Sequence, residues 1–569
     1  MPALSELSLL DQCRAIWGAT TAREEAEARA RLEPPLVRVW TGDFALAGVL
    51  SSEYTAEFTW LDNEAGTGLT EIPLWDPLAK WIWQVKDRIN AGEKRNVFIT
   101  VDKDGARWSG ILFDHTVEKR ADGTHVLVVR WMHDLFTLQH YLAWCNPFLP
   151  DFVQFPRVFF LAGPSIWGLK TALFLNVMRE QENWWELPSD PMNQGSAPAT
   201  MMSNWSVAIK PTTFMDDMNA GTIWSIPNSR FKYWMDMSKD ILEDAQLSIQ
   251  VRRYIADDDA QPIAGQTLRN GCLVVDIVDK SGYYTDTSNG GDPFLGLKRT
   301  FAQIAEDFID EIIEDVVDPA VPNSYKTPGL KLTDKICPYV VYLEGEETGI
   351  ESSKFTFTPS TAVQMVAGGH SFPFVNELIS ATIQTLGDLL AMAIFVPPIG
   401  GALDAVLQPL YWDTVAAWMH FRSPGRKAHS GWAHLFEYRA SDGDRAYTLE
   451  ALLSLRKAFH DTRSWFSHEV LIRDGAPWFI GDNGKGHFFL GDRIGAQVLG
   501  DFSAKYGFDD FTIYVDRVRE LTLAWDRDSF AEWKCTIGEK EKNKDRGQRA
   551  LGMISDLFAL MRDVGALGR

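Results

Sequence analysis

The run GPSIWGLKT (Gly163–Thr171) follows the apolar VFFLA and has the outline of a phosphate loop. Such a loop places its lysine directly after the last glycine, so that the amine reaches the β- and γ-phosphates. Leu169 stands between Gly168 and Lys170, and a Gly-Pro turn leading into a helix accounts for the pattern. A second glycine-rich run, GDNGKGHFFLGD (Gly481–Asp492), precedes a strand rather than a helix, which predicts a turn and not a dinucleotide cradle. His468-Glu469 lacks the second histidine, four residues after the first, that a zinc-protease helix carries. His133 and His140 do not share a helix face at ligand spacing, and each reads as an isolated packed or surface side chain. Asp257-Asp258-Asp259 and Asp276, Asp279, Asp286 and Asp292 offer oxygen ligands without the calcium-loop pattern, so composition leaves a loop calcium site open. No G-x-S-x-G elbow is present, and no Cys/His spacing fits a protease. The carboxylates are too numerous to single out a glycosidase pair. These residues predict no catalytic group and no cofactor, and no metal centre beyond that open calcium site.

The elements around these motifs are mixed. A helix is predicted over 3–33, stopped by Pro34-Pro35. In SEYTAEFTW, Tyr54, Ala56, Phe58 and Trp60 alternate with polar residues, the period of a half-buried strand. Asp76-Pro77 is an N-cap and N1 pair for a helix carrying Leu78, Trp81, Ile82, Val85 and Ile89. Asp104-Gly105 and Asp122-Gly123 mark two hairpins, making residues 36–136 a β-rich domain of barrel or split-barrel type. Residues 145–227 are rich in Pro and Trp and read mainly as loop. SRFKYWMDMSKDILEDAQLSIQVRRY predicts a helix feeding a strand, with LRNGCLVVDIVDKSG as the strand's partner. Phe301, Ile304, Phe308, Ile312 and Val316 have helical spacing. In FTIYVDRVRELTLAW, Arg517 and Arg519 break an otherwise apolar face, which predicts a bulge or a solvent-lined edge.

Bulk properties narrow the function classes. The 569 residues suit three or four domains, and the formal charge of −22 opposes a sequence-independent grip on DNA. The 22 Trp suggest aromatic-filled cores or interfaces. Five scattered cysteines read as reduced thiols, and the first residues lack a secretory signal, which predicts synthesis in a cytoplasm.

Longer stretches carry a resemblance. They include WTGDFALAGVLSSEYTAEFTWLDNEAGTGLTEIPL, WCNPFLPDFVQFPRVFFLAGPSIWGLKTALF, NGCLVVDIVDKSGYYTDTSNGG, VPPIGGALDAVLQPLYWDTV and IYVDRVRELTLAWDRD. Over roughly 35–540 the chain resembles minor tail proteins of siphophages that infect actinobacteria, specifically the tail-tip or baseplate hub. The resemblance implies a multidomain α+β fold: tail-tube-like β-barrel or split-barrel domains with helical insertions and an apolar helical hairpin. The expected domains are an N-terminal helix (1–34), a tube-like β-barrel (35–145), a Pro/Trp-rich insertion (146–227) and an α+β hub domain (228–365). The apolar helical hairpin (366–425), a second tube-like β domain (426–545) and a C-terminal helix (546–569) complete the scheme. The implied role is structural: a homotrimer in the virion that ends the tail tube and opens for DNA ejection. Its implied partners are the distal tail protein, the C-terminus of the tape measure protein and other minor tail proteins, without sequence-specific nucleic-acid binding. A receptor- or envelope-binding tail protein and a tail-borne cell-wall hydrolase are the alternatives.

One stretch, AMAIFVPPIGGALDAVLQPLY (Ala391–Tyr411), first suggests a membrane hairpin. Upstream, Leu378, Ile379, Ile383, Leu386, Leu389 and Leu390 recur at helical spacing opposite Glu377, Gln384 and Asp388. With Asp404 and Asp413 in the second arm, each acid opposing insertion by about 3 kcal/mol, a protein-packed helical hairpin is expected. Its tip (Ile394, Phe395, Val396, Pro397, Pro398, Ile399, Gly400 and Gly401) is the candidate channel plug or transient host-membrane contact.

Overall fold

The computed structural model describes residues 8–120, 123–155, 159–181, 190–222, 224–225, 227–245, 247–280, 340–345, 349–370, 417–440, 455, 458–459, 462, 464–500, 505–507 and 513–537. The predicted first helix is α1 (Leu9–Leu32), capped by Ser8, whose Oγ accepts from the Asp11 N–H at 3.3 Å. Seven strands follow: β1 (Leu36–Thr41), β2 (Leu46–Leu50), β3 (Thr55–Leu61), β4 (Thr67–Pro73), β5 (Val97–Lys103), β6 (Ala106–Lys119) and β7 (His125–His133). In β3 the alternation holds, with Ala56, Phe58 and Trp60 buried and Glu57 exposed. The β5–β6 hairpin turns at Asp104 (φ 51°) and Gly105 (φ 81°), the pair of positive φ values that a two-residue I′ turn needs. Gly123 sits at φ 87°, while Asp122 lies outside the described residues. Helix α2 (Pro77–Trp83) begins as predicted, with the Leu78 N–H donating to Asp76 Oδ1 at 2.7 Å.

The poorly patterned 145–227 stretch holds α3 (Ser165–Gln181), which is buried on nearly every side. A helix covered all round shows no 3.6-residue alternation, which is why periodicity points to it so weakly. β8 (Val207–Ile209), α4 (Trp234–Asp244), β9 (Leu247–Arg253) and β10 (Leu273–Asp279) form the layer around it. β9 and β10 pair antiparallel as predicted, and β8 lies parallel to β10. Later come β11 (Val340–Tyr342), β12 (Ile350–Thr358), β13 (Ala362–Gly368), β14 (Trp418–Arg422), α5 (Pro424–Ser430), β15 (Leu435–Arg439), β16 (Trp465–Arg473), β17 (Arg493–Gln497), β18 (Ile513–Asp526) and β19 (Glu532–Ile537).

The chain divides into two compact units. The first contains Met1–Leu297, Val316–Phe355 and Ser467–Arg569, and is dominated by a 13-stranded sheet. Its strand order is β12-β16-β19-β18-β3-β4-β7-β6-β5-β1-β2, with β17 beside β18 and β11 beside β17. The N-terminal and C-terminal β-rich stretches therefore share one sheet, joined where β3 runs antiparallel to β18. Among the described residues this path is open, from β12 to β2, so the barrels expected from the resemblance are not closed rings. The mostly β, multi-sheet architecture with helices stands.

Tryptophans fill the core of this sheet. Phe58 packs on Trp108 with centroids 4.9 Å apart, and Trp60 on Trp533 at 5.1 Å. A buried indole N–H needs an acceptor. Trp108 donates to the Thr59 carbonyl, Trp131 to Thr70 Oγ1, Trp478 to the Val341 carbonyl and Trp533 to Asp104 Oδ2, all within 2.9–3.0 Å. Gly68 makes room for this stack, because a Cβ there would meet Phe58 at 2.7 Å and Trp108 at 3.0 Å.

The second unit contains Lys298–Asp315 and Thr356–Phe466. Its described part is a three-stranded sheet, β14-β13-β15, over a small core of Met365, Ala367, Leu455 and Phe459. Arg426, on α5, is buried there and donates to the carbonyls of Ala362 and Phe459 and to Thr462 Oγ1. Residues 300–316 and residues 371–416 of the expected helical hairpin (366–425) lie outside the described residues, whereas 366–368 and 418–422 are strand, in β13 and β14.

Candidate functional site

The candidate plug or membrane tip, Ile394 to Gly401, lies outside the described residues. Among the described helices none is long and apolar enough to cross a membrane. The remaining sequence candidates can be placed. Lys170 sits inside α3, 4% exposed, with its amine on Asp276 and Thr212 rather than in a phosphate loop. His133 is packed against Trp108, whereas His140 lies on Phe136 near the surface, so the two do not converge. His468 and Glu469 are in β16, a strand.

Of the acidic candidates, Asp258, Asp259 and Asp276 are taken up by the chain's own cations, and Asp286 and Asp292 lie outside the described residues. Arg38 bridges Asp102 (2.7 Å) and Asp258. Arg107 reaches Asp102 (2.6 Å), Asp258 (2.9 Å) and Asp259, while Arg252 reaches Asp259 at 3.2 Å. Burial opposes ionisation of Asp259, but the Ile255 N–H, Arg107 and Arg252 outweigh it and leave this carboxyl below its usual range. Deeper in the same seam, Arg253 forks onto Asp134 with 2.6 and 2.8 Å bonds. Asp134 is 0% exposed and also accepts from Ser109, while Arg253 lies against the adjoining rings of Phe44 and Phe98, 4.9 Å from each. Such a planar fork on a carboxylate fixes angle as well as distance.

A second buried node explains the interrupted face of β18. The ladder of β18 on β19 shifts register between Val518 and Glu520, the bulge that the sequence suggests. Arg517 is buried, not solvent-lined, and both Arg517 and Arg519 reach Asp62 Oδ2 at 3.1 Å. Burial pulls the Arg517 guanidinium below its usual value, and Asp62 works against that. Ser248 joins by donating to Asp62 and accepting from Arg517. Together the two nodes fasten β9 to the large sheet. Sequence alone hides them because their members are 186 to 457 residues apart for Asp62 and 119 for Asp134. The visible signal is the pair Arg252-Arg253 closing an apolar strand. A cavity of about 480 Å³ beside this seam is lined by Lys210, Arg252, Tyr254, Asp258, Asp276 and Lys485. Its acids and bases are matched, with Asp276 already 3.3 Å from Lys210.

One hydroxyl–imidazole pair resembles a nucleophile and its base. Ser353 Oγ lies 2.7 Å from His468 Nε2. Burial drives His468 down to about 4, so the imidazole is neutral and resists becoming the cation that general-base catalysis forms. Its Nδ1 is buried without a hydrogen-bond partner among the described residues, so no acid orients the ring. The geometry suits a cross-strand hydrogen bond.

What the surface offers instead is apolar. Leu9, Leu10, Ile16 and Trp17 of α1 are all exposed, Trp17 by 75%. The loop 146–155 shows Phe152, 83% exposed, and Phe155, 75% exposed. Its backbone is held from within: Asn146 donates to the Phe155 carbonyl and accepts from the Phe148 N–H, and Gln154 donates to the carbonyls of Leu149 and Pro150. Trp75 and Trp83 are exposed around α2. Large apolar side chains exposed in groups of this kind mark interaction surfaces.

Residues 36–539 match the family described as Siphovirus ReqiPepy6 Gp37-like protein. The chain belongs to this family. It is 34% identical to the minor tail protein Gp28 of Mycobacterium phage L5, across 99% of each chain. To the minor tail protein Gp28 of Mycobacterium phage D29 it is 33% identical, covering 95% of this chain and 96% of the relative. It is a siphophage minor tail protein, a structural component of the virion tail. The solved tail protein from Neisseria meningitidis MC58 covers 89% of this chain and 97% of its own at 10% identity, and its TM-score of 0.37 carries no inference.

Proposed function

We propose that this family member is the hub of the tail tip. In this reading three copies surround the tail axis, end the tube and dock the distal tail protein, the tape measure C-terminus and other minor tail proteins. The hub opens for DNA ejection, and the tip Ile394–Gly401 closes the lumen or touches the host membrane. The observation that carries the reading is the apolar surface left uncovered on a firmly clamped body: the 146–155 loop and the tryptophans around α2. Such patches mark interaction sites, and near-complete coverage by minor tail proteins of two mycobacteriophages supports a tail assembly as their setting. A cryo-EM reconstruction of the virion tail tests it. The expected result is threefold density for this chain at the distal end of the tube, with residues 394–401 near the axis. Density confined to side fibres overturns the hub, and residues 394–401 far from the axis overturn the plug alone. Release of muropeptides from purified mycobacterial peptidoglycan by the isolated protein would favour the hydrolase instead.

A further inference from the structure

Helix α1 is nearly bare. Its root is fixed: Arg31 reaches Asp474 Oδ2 and the Trp478 carbonyl, each at 2.7 Å. The amine of Lys103 donates to the carbonyls of Ala30, Arg31 and Glu33 at 2.9–3.2 Å. Beyond this last turn most residues are exposed. At 100° per residue, Leu9, Leu10, Cys13, Ile16 and Trp17 fall on one side of the helix, with Cys13 at the centre of the stripe. A helix in water gains most of its stability by packing such a face, not from propensity. Gly18, Thr20 and Thr21 are poor helix formers that separate this stripe from the Ala-, Glu- and Arg-rich second half of α1.

The same chain carries a matching face. In ALGMISDLFALMRDV (550–564), Leu551, Met553, Ile554, Leu557, Phe558, Leu560, Met561 and Val564 fall on one half of a helical wheel. Ser555, Asp556, Arg562 and Asp563 fall on the other half. Between this segment and the last described strand lies GEKEKNKDRGQR (538–549), a wholly polar linker. Strand β19 starts beside the root of α1, since the Trp533 N–H donates to Asp474 Oδ1, the carboxylate that holds Arg31. From Ile537 back along β19, across Asp474 to Arg31 and out along α1 to Trp17 the path is about 45 Å, and the straight line between its ends is shorter. A linker of this length extends to about 40 Å. The span is within reach.

We propose that residues 550–564 dock as an amphipathic helix on the Leu9–Trp17 stripe of their own chain, forming an antiparallel or parallel two-helix arm rooted at Asp474. This does not depend on the hub reading. Cys13 supplies the probe: it is exposed while Cys145, Cys272 and Cys535 are buried, and peptide mapping separates it from Cys337, which lies outside the described residues. Iodoacetamide alkylation of Cys13 in the purified full chain, followed by peptide mass spectrometry, is compared with that of the Leu557→Asp/Leu560→Asp chain. The substitutions should speed Cys13 alkylation at least about tenfold, as loss of a local protecting contact does. Protection in the unsubstituted chain should not change with dilution. Equal rates in the two chains overturn the proposal. Protection that falls on dilution also overturns it, because a second copy then covers the stripe. A Met553→Cys chain under mild oxidation gives an independent check. A disulfide within one chain between Cys13 and the introduced thiol supports docking, and its absence counts against it.

Discussion

The seam around Asp134 and the helix α1 treat water in opposite ways. The seam puts charge where water is excluded, with Asp134 fully buried and Arg253 packed against Phe44 and Phe98. Helix α1 puts Leu9, Leu10, Ile16 and Trp17 where water is abundant. Each arrangement opposes the usual partition of polar and apolar groups, and each is relieved differently. The buried ions are satisfied by partners inside the chain, so that joint is finished when the chain folds. The exposed apolar face has no such partner among the described residues, so it is completed from outside them. The sharpest way to break the contrast is Asp134→Ala. It leaves the Arg253 guanidinium buried without its carboxylate, which should cost about 3–5 kcal/mol, read as a lower urea midpoint. A loss below about 1 kcal/mol would mean that the seam is not closed against water.

Next in size is acid. Burial, opposed by Asp134 and aided by Arg253, lowers His133 to about 4, and burial lowers His468 to the same value. Both groups take up protons more readily unfolded than folded. Their contribution is therefore complete above pH 6.5 and declines as pH falls towards 4. The depression is worth up to about 3 kcal/mol for each group. Melting temperature should fall across that window, and His468→Phe should flatten part of the slope. A flat profile in the unsubstituted chain would show that both rings reach solvent.

How far this contrast is legible in the sequence depends on distance along the chain. Local signals succeed: Asp76-Pro77 starts α2, Asp104-Gly105 turns a hairpin, and the break at Arg517 and Arg519 is a bulge. Each depends on residues within a few positions of one another. The pairing of β3 with β18 and the forks onto Asp62 and Asp134 have no local signature, because their members meet only in the folded sheet. The buried α3 is masked for another reason, since a helix wrapped on all sides loses its amphipathic period. The apolar stripe of α1 is readable as spacing, but spacing does not tell an exposed face from a covered one.

A smaller effect tests the root of α1, where the two regimes meet. Lys103 caps three carbonyls at the end of the helix while its chain is buried in the sheet. Lys103→Met keeps the apolar stem and removes charge-assisted bonds, with an expected loss of about 1–2 kcal/mol. The loss should be local: amide exchange over Ala26–Glu33 should accelerate while exchange in β5 and β6 stays slow. Uniform acceleration would show that α1 and the sheet unfold as one unit, and the contrast between a finished joint and an unfinished arm would weaken.

The smallest expected effect on stability is the most informative about assembly. Trp17→Gln removes a large ring that lies outside the core of the sheet, so the urea midpoint of the sheet should move by less than about 0.5 kcal/mol. Incorporation into virions, scored as infectious particles from a complemented deletion phage, should nevertheless fall well below that of a substitution elsewhere on the exposed surface, such as Glu25→Gln. A side chain whose loss leaves folding intact and hinders particle formation acts after folding. If both substitutions were silent in particle yield, exposure of Trp17 would be incidental, and the apolar face of α1 would have no part in building the tail.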